Sequence, residues 1–362
     1  MADKVTIADV ARYASVSRQT VSNALNSPEV VREETRRRVL EAVKALGYRA
    51  SQAARQMRTG RSQLIAARIE PAQDDGINGF VFDRFLHGLT ESGARAGYRV
   101  LLYTADDHEA ELATFDDLLG VHEPDAFVLT SINYGDPRTG WLLEQRIPFV
   151  AFGRPWGVSP DRQYPWVDVD GAAGTAMATR YLLDLGHRRI GFLGWPSQSG
   201  VGDDRRDGWA RTLAAEGASP AEIAELDYRT HDGVPHGEAA AHALLDADRP
   251  VTALVCVSDS LALGALQAGR GIPVIGFDDT PAARAVGLTS VSQPLAEAAA
   301  RCVSLLIRAL AGDGARARQA GKDVGGRTDE GDVERGSTAT ATPEAQPAHV
   351  LLQPSLVRRR SA

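Results

Sequence analysis

The sequence predicts a small all-α helix-turn-helix headpiece followed by a larger α/β body of parallel, doubly wound sheets. Three observations carry that expectation. Residues 6–26, TIADVARYASVSRQTVSNALN, read as two short amphipathic helices around a tight turn. Residues 31–48 carry the apolar spacing of a third helix. From residue 62 onward, apolar runs of strand length alternate with helical patterns, as parallel strands covered by helices require.

The first helix is expected to start at Thr6, with Asp9 forming a capping box, and the second at Ser17, paired with Thr20. Ile7, Val10, Ala11 and Ala14 share one face of the first helix, and Val21, Ala24 and Leu25 share one face of the second. Packing those faces together leaves Arg18, Gln19, Ser22 and Asn23 outward at the start of the second helix. Such donors and acceptors match base edges in the DNA major groove, which a recognition helix enters by its N-terminal end. Thr6, Ser17 and Thr20 complete the candidate DNA-binding set on these two helices. After the loop Ser27-Pro28-Glu29, a third helix carries Val31, Thr35, Val39, Val43 and Leu46, and Gly47 suits its C-terminal cap.

The succession TIADVA, VSRQTVSNALN, EETR and LGY resembles the N-terminal pattern of the LacI/GalR family of bacterial transcriptional regulators. LGHRRIGFL at 185–193, RRDGW at 205–209 and VIGFDDT at 274–280 extend the resemblance over nearly the whole chain. It implies a homodimer on double-stranded, palindromic operator DNA, with a body of two lobes like periplasmic sugar-binding proteins and an effector cleft between them. The domains expected are a headpiece over 1–49, a hinge over 50–61 and a core over 62–362. Within the core, the N-terminal lobe takes 62–160 and 291–312. The C-terminal lobe takes 161–290 and the C-terminal strand, so the chain crosses near 160, near 290 and close to its end. One departure stands in the headpiece: Arg32 occupies the place of a Ser cap before the third helix, a loss of about 1 kcal/mol unless Glu33 or Glu34 compensates at the dipole.

The small, basic stretch RASQAARQMRTG at 49–60 reads as a hinge helix over 51–58 whose apolar side, Ala53, Ala54 and Met57, is too small to fold without another surface covering it. The resemblance implies that two such helices pair in the minor groove and wedge an apolar side chain between base pairs. Met57 matches the family's leucine there, a substitution of similar volume, and Arg55 and Arg58 fall near phosphates or the groove edge.

In the body, strands are expected at 64–70, 98–105, 126–131, 148–153, 189–195, 253–258 and 273–279. Ligands of such sheets bind outside the carboxyl ends of strands, so the residues that follow each run are the site candidates. Arg154 follows PFVAFG, and Phe80 and Phe82 end a loop that could stack on a ligand. The resemblance implies that Arg205 holds ligand oxygens with its planar fork, Arg206 competing for the role, and that Asp278 accepts ligand hydroxyls. Ser258 lies at the corresponding edge, and Asp259 reads as an N-cap of the helix that follows. Trp156, Trp166 and Trp195 sit beside candidate strands and could cover a sugar face, with Trp166 chosen for the ligand set, while Trp209 is expected to pack behind Arg205. His231, His236 and His242 lack metal-ligand spacing, and no cofactor is expected.

Composition sets the outer bounds. With 362 residues the chain can form two or three domains and a large core. Residues 1–60 hold 11 Lys and Arg against 6 Asp and Glu, a net +5 within a chain of net −7, so positive charge gathers where DNA would sit. Cys256 and Cys302 read as buried small hydrophobes rather than a disulfide pair. No membrane-length apolar run and no secretory h-region are present, which points to the cytoplasm and argues against an exported solute-binding protein of the same body plan. The absence of a nucleophile elbow, a P-loop or H-E-x-x-H argues against an enzyme. Residues 311–347, rich in Gly, Ala, Thr and charge, are expected to form a disordered insertion before the strand at 349–357. The expected function is a ligand-responsive repressor of sugar-utilisation genes, its small-molecule effector a sugar. Control by a nucleobase or by a protein corepressor remains open.

Overall fold

The structure is a computed structural model that describes residues 5–49, 56, 60–69, 79–157, 164–323 and 349–362. It divides into two compact units, Met1–Ser62 and Gln63–Ala362.

In the first unit, α1 (Ile7–Tyr13), α2 (Arg18–Asn26) and α3 (Glu33–Leu46) enclose a core of Val10, Ala11, Ala14, Val21, Ala24, Val39 and Ala42. Thr6 donates both its backbone N–H (3.0 Å) and its hydroxyl (2.7 Å) to Asp9 Oδ2, and those two bonds hold the Asp9 carboxyl below its usual range. Ser17 Oγ accepts the Thr20 N–H at 3.0 Å and starts α2. Between the helices, Ser15 takes a left-handed φ of 52°, which makes the turn tight. Arg38 on α3 reaches back to the Ala14 carbonyl at 3.2 Å and ties the third helix to that turn. Gly47, at φ 62°, ends α3, and the Tyr48 N–H returns to Val43 O. Arg32 makes no side-chain cap bond, leaving Glu33 and Glu34 in the first turn to offset the dipole.

The second unit holds two six-stranded sheets. The first has the order β11-β5-β4-β3-β1-β2 and the second β12-β10-β9-β8-β6-β7. The first comprises β1 (Leu64–Arg68), β2 (Arg99–Tyr103), β3 (Ala126–Leu129), β4 (Phe149–Phe152), β5 (Trp166–Val169) and β11 (His349–Leu352). The second comprises β6 (Ile190–Gly194), β7 (Asp227–Arg229), β8 (Ala253–Cys256), β9 (Val274–Phe277), β10 (Thr289–Ser292) and β12 (Ser355–Val357). All pairings are parallel except β10 with β12. Each order reverses beside β1 or β6, the strand next to one edge, and such a switch point opens a crevice at the carboxyl ends.

Several boundaries differ from expectation. The first lobe does not end near 160, because β5 pairs with β4 through Phe152 and Val167, and the chain crosses only at Asp170. The run 164–169 was obscured by Pro165 and the polar Asp168, yet Val167 and Val169 alternate inward as a strand requires. Residues 291–292 belong to the second sheet, so the return crossing follows β10. The C-terminal segment is two strands rather than one. Pro354 lacks the N–H that a continuous ladder needs, so β11 joins the first sheet and β12 the second. The long helix Leu295–Asp323 carries regular structure into the region read as a disordered insertion, where Ala, Arg and Lys favour helix, and 324–347 lies outside the described residues.

Each lobe has its own core. Ile190, Phe192, Trp209, Leu254 and Phe277 belong to the second. Phe85, Leu89 and Cys302 cover one face of the first sheet, and Phe115, Phe127 and Leu142 the other. Both cysteines are buried and unpaired, and burial pushes both thiols up. No helix among the described residues is long and apolar enough to cross a membrane.

Candidate nucleic-acid surface and effector cleft

On the headpiece, Arg18 and Gln19 are exposed at the first turn of α2, with Thr20, Ser22 and Asn23 half-buried beside them. Gln19 Nε2 donates to Asn23 Oδ1 at 2.9 Å, so two of the candidate base readers are held in register one turn apart. Thr6 and Ser17 act as the caps described above, at the helix N-termini where backbone N–H groups favour phosphate. Arg55, Met57 and Arg58 lie outside the described residues.

In the body, the loops after β3 and β4 face the start of the helix α8 (Gly200–Ala215), which follows β6. Arg205, on α8, is the centre of the cleft floor. The residue is 5 % exposed, and its guanidinium donates to the Val257 carbonyl at 2.6 Å and lies 3.7 Å from the Phe277 ring centroid and 3.5 Å from Asp278 Oδ1. Asp278 follows β9 with a left-handed φ of 107°, a conformation that turns the chain out of the strand. Gln293 Nε2 donates to the same oxygen at 2.7 Å. Burial raises the Asp278 carboxyl above its ordinary range, while Arg205 and Gln293 oppose the rise.

Asp232 accepts from Trp195 Nε1 at 2.9 Å and from the Ser258 hydroxyl. Ser258, fully buried, is the N-cap of the helix Asp259–Gln267, its oxygen accepting the Leu261 N–H at 3.2 Å. The cap expected of Asp259 therefore falls to its neighbour. Asp259 accepts instead from the Thr280 N–H (2.7 Å) and the Ser290 hydroxyl (2.6 Å), bracing the backbone behind Asp278. Burial, helped by Asp278, pushes its carboxyl up to about 7. Gly276 makes room for it, since a Cβ there would meet Asp259 Oδ1 at 2.3 Å.

The first lobe contributes Arg154, which donates to Asp168 Oδ2 at 2.6 Å and reaches across to Asp204 on α8 at 3.2 Å. Asn133, after β3, accepts the Gly200 N–H at 2.9 Å. Beneath that loop, fully buried Arg138 donates to the Thr130 carbonyl and to Glu111, both at 2.9 Å, and fixes the turn that presents Asn133. Trp156 packs on Gly200 so closely that a Cβ there would meet its ring at 2.3 Å.

Other candidates fall elsewhere. Trp166 starts β5, at the amino end of a parallel strand, and stacks on His349 at 5.1 Å, so it lies at the opposite end of the sheet from the cleft. Arg206 pairs with Asp227 at 2.8 Å, which leaves the floor to Arg205. Trp209 is fully buried against Phe192, with the Arg206 guanidinium carbon 6.0 Å from its ring centroid. Phe80 and Phe82 are half-buried in the first turn of the helix Gly79–Arg95, with no ring contact to the cleft among the described residues. Asn133, Asp204 and Gln293 hold the site together without having stood out in the sequence. All three follow a strand or adjoin a candidate, so the strand-end rule applied to every loop would have found them. Among the described residues no group of three or more His, Cys, Asp or Glu side chains is placed to hold a metal ion.

The comparisons agree with both halves of this geometry. A profile described as "Bacterial regulatory proteins, lacI family" matches residues 6–51, and one described as "Periplasmic binding proteins and sugar binding domain of LacI family" matches 72–290. The HTH-type transcriptional regulator AglR of Rhizobium meliloti is 33% identical over 324 residues, covering 86% of this chain and 89% of that protein. The chain belongs to the LacI family. The crystal structure of a regulatory protein of the LacI family from Chloroflexus aggregans is 34% identical with a TM-score of 0.66, covering 83% of this chain and 98% of that one. A complex of the transcriptional regulator CelR with cellobiose is 26% identical, also with a TM-score of 0.66, covering 99% of this chain and 100% of that one. As a LacI-family regulator of transcription, this protein combines a helix-turn-helix headpiece with a two-lobe α/β body.

Proposed function

We propose that this protein is a repressor that binds a palindromic operator as a homodimer, in the cytoplasm at the nucleoid, and that a sugar in the cleft lowers its affinity for that operator. The observation that carries the proposal is the pairing, in one chain, of an exposed Arg18-Gln19 edge on α2 with a separate cleft built on Arg205 and Asp278. The first suits base edges in a groove, and the second suits hydroxyl pairs on a small polar ligand. Phosphate attraction from the basic headpiece supplies salt-dependent affinity, and Arg18, Gln19 and Asn23 supply preference among sequences. The hinge at 50–61, with Met57 as the wedge and Arg55 and Arg58 beside the backbone, couples the body to DNA. Sugar binding biases the lobes toward one arrangement and shifts the population that holds the hinges together. Support for a sugar comes from the family's sugar-binding profile and from the cellobiose carried by the CelR complex.

The test is operator selection from random and genomic DNA with the full chain, followed by footprinting and anisotropy titrations with and without sugars. Protection of a two-fold site, lost on adding a sugar, is the expected result. Gln19→Ala and Asn23→Ala should each relax base preference in each half-site by about 1–3 kcal/mol. Unchanged preference in both would show that α2 is not the reader. Release by a nucleobase, or only by a protein, would replace the sugar.

A further inference from the structure

We infer that the effector is an uncharged sugar of two rings, the first on the Arg205–Asp278 floor and the second in a cavity at the cleft mouth. The inference rests on the sugar reading above and adds its charge and its length.

The charge follows from how the arginines are spent. Arg205 is occupied by Asp278 and the Val257 carbonyl, and Arg154 by Asp168 and Asp204. Arg206 is held by Asp227, and Arg229 by Asp227 at 2.8 Å and Asp203 at 3.2 Å. These four guanidiniums stand among five carboxylates, Asp278, Asp168, Asp204, Asp227 and Asp203, and those of Asp278 and Asp168 are no more than 9% exposed, so a phosphate or carboxylate on the ligand meets a surplus of like charge. Drawing a guanidinium fully onto the anion would leave a buried carboxylate unpaired, which costs more than the new pair returns. A hydroxyl, by contrast, accepts from a guanidinium and donates to a carboxylate without breaking the pair. The existing Arg205–Asp278 couple is then an asset, offering a donor and an acceptor side by side.

The length follows from the cavity. It measures about 350 Å³ and is lined by Trp195, Ser197, Gln198, His231, Asp232 and, from the other lobe, Asn133. Trp195 joins it to the floor, its ring 5.5 Å from the Arg205 guanidinium carbon. An indole with amide, hydroxyl, imidazole and carboxylate groups around it is the lining that a pyranose uses, with a flat apolar face and a rim of hydroxyls. Asp232 adds negative charge to this wall and reinforces the exclusion of anions.

Calorimetry and thermal shift on the full chain with glucose, maltose, cellobiose, lactose, glucose 6-phosphate and glucuronate test both parts. One neutral disaccharide is expected to bind at least about tenfold tighter than glucose, and neither anion should bind more tightly than glucose. His231→Ala, folded by its unliganded melting curve, should weaken the disaccharide by about tenfold and glucose by less. Tighter binding of either anion than glucose overturns the charge assignment while leaving the sugar reading intact. Equal affinity for one ring and two, or an unaffected His231→Ala variant, overturns the second subsite. Silence across the panel, with operator binding intact, overturns the sugar reading itself.

Discussion

At the scale of single residues, the cleft is a case of carboxylates held where burial disfavours their charge. Asp259 is the clearest. It is fully buried, it accepts two hydrogen bonds, and its carboxyl is pushed up to about 7. Because the folded-state value lies above the ordinary 3.8, the protonated form favours the fold. That contribution is complete below the ordinary value and drains away as pH rises toward 7. In the protonated form Asp259 can donate to Ser290 Oγ while still accepting the Thr280 N–H, and an asparagine reproduces this arrangement at every pH. Asp259→Asn is therefore expected to flatten the fall in Tm between about pH 4 and pH 7, read by thermal unfolding of variant and parent in matched buffers. A parent and variant with parallel pH profiles would show that Asp259 is ionised throughout. Arg205 and Asp278 were legible in the sequence because each sits in a recognisable fingerprint, RRDGW and VIGFDDT. The role of Asp259 was not, because the choice between N-cap and brace depends on Ser290, 31 residues away.

At the scale of elements, the helices that back the second sheet are set by glycines that no periodicity announces. The helix Val234–Leu245 packs on Asp259–Gln267 with Gly237 and Gly264 at the crossing. A Cβ on Gly264 would meet the Val234 carbonyl at 2.0 Å, and one on Gly237 would meet Leu261 O at 2.2 Å. Backbone cannot yield there without separating the helices, so Gly264→Ala should cost about 2–3 kcal/mol. Thermal unfolding checks it, with Tm expected to fall by roughly 5 °C and an unchanged Tm counting against the packing. The headpiece was the most legible element, since Val10, Ala14, Val21 and Ala24 bury where helical spacing puts them. Among the strands, the long apolar runs declared themselves, whereas β7, reading Asp-Tyr-Arg, and β10, reading Thr-Ser-Val-Ser, lack an apolar signature. Small hydroxyl residues such as Thr289 and Ser290 are buried in β10 because they bond to Asp259 and to the C-terminal segment, a long-range fact. The same holds for Trp166, whose residue type suits a sugar site and whose end of the strand excludes it.

At the scale of the whole body, polar contacts join the two lobes near the cleft, where a ligand's binding energy can shift their balance. Arg154 bridges Asp168 in one lobe to Asp204 in the other, and Asn133 accepts the Gly200 N–H from α8 across the same gap. Arg154 is about one-fifth exposed, so its pairs are screened less than surface ones and more than core ones. Burial raises the Asp204 carboxyl, and Arg154 is the first influence holding it down. Arg154→Lys keeps the charge but gives up the fork that reaches both carboxylates at once. The bridge should then loosen by about 1–2 kcal/mol, in the range of a single charge-assisted hydrogen bond. A ligand that gains from closure has more to supply, so its dissociation constant should rise by roughly tenfold and its off-rate should carry most of the change. By linkage, the factor by which that ligand alters operator affinity must change with the closed population, even though α2 is untouched. Anisotropy titrations of Arg154→Lys on operator DNA, with and without the effector, measure that factor. Asn133→Ala removes the second contact of the bridge and should move it in the same direction. If both variants kept the parent's factor while binding operator normally without ligand, the two contacts would be packing between lobes and not a restraint on their closure.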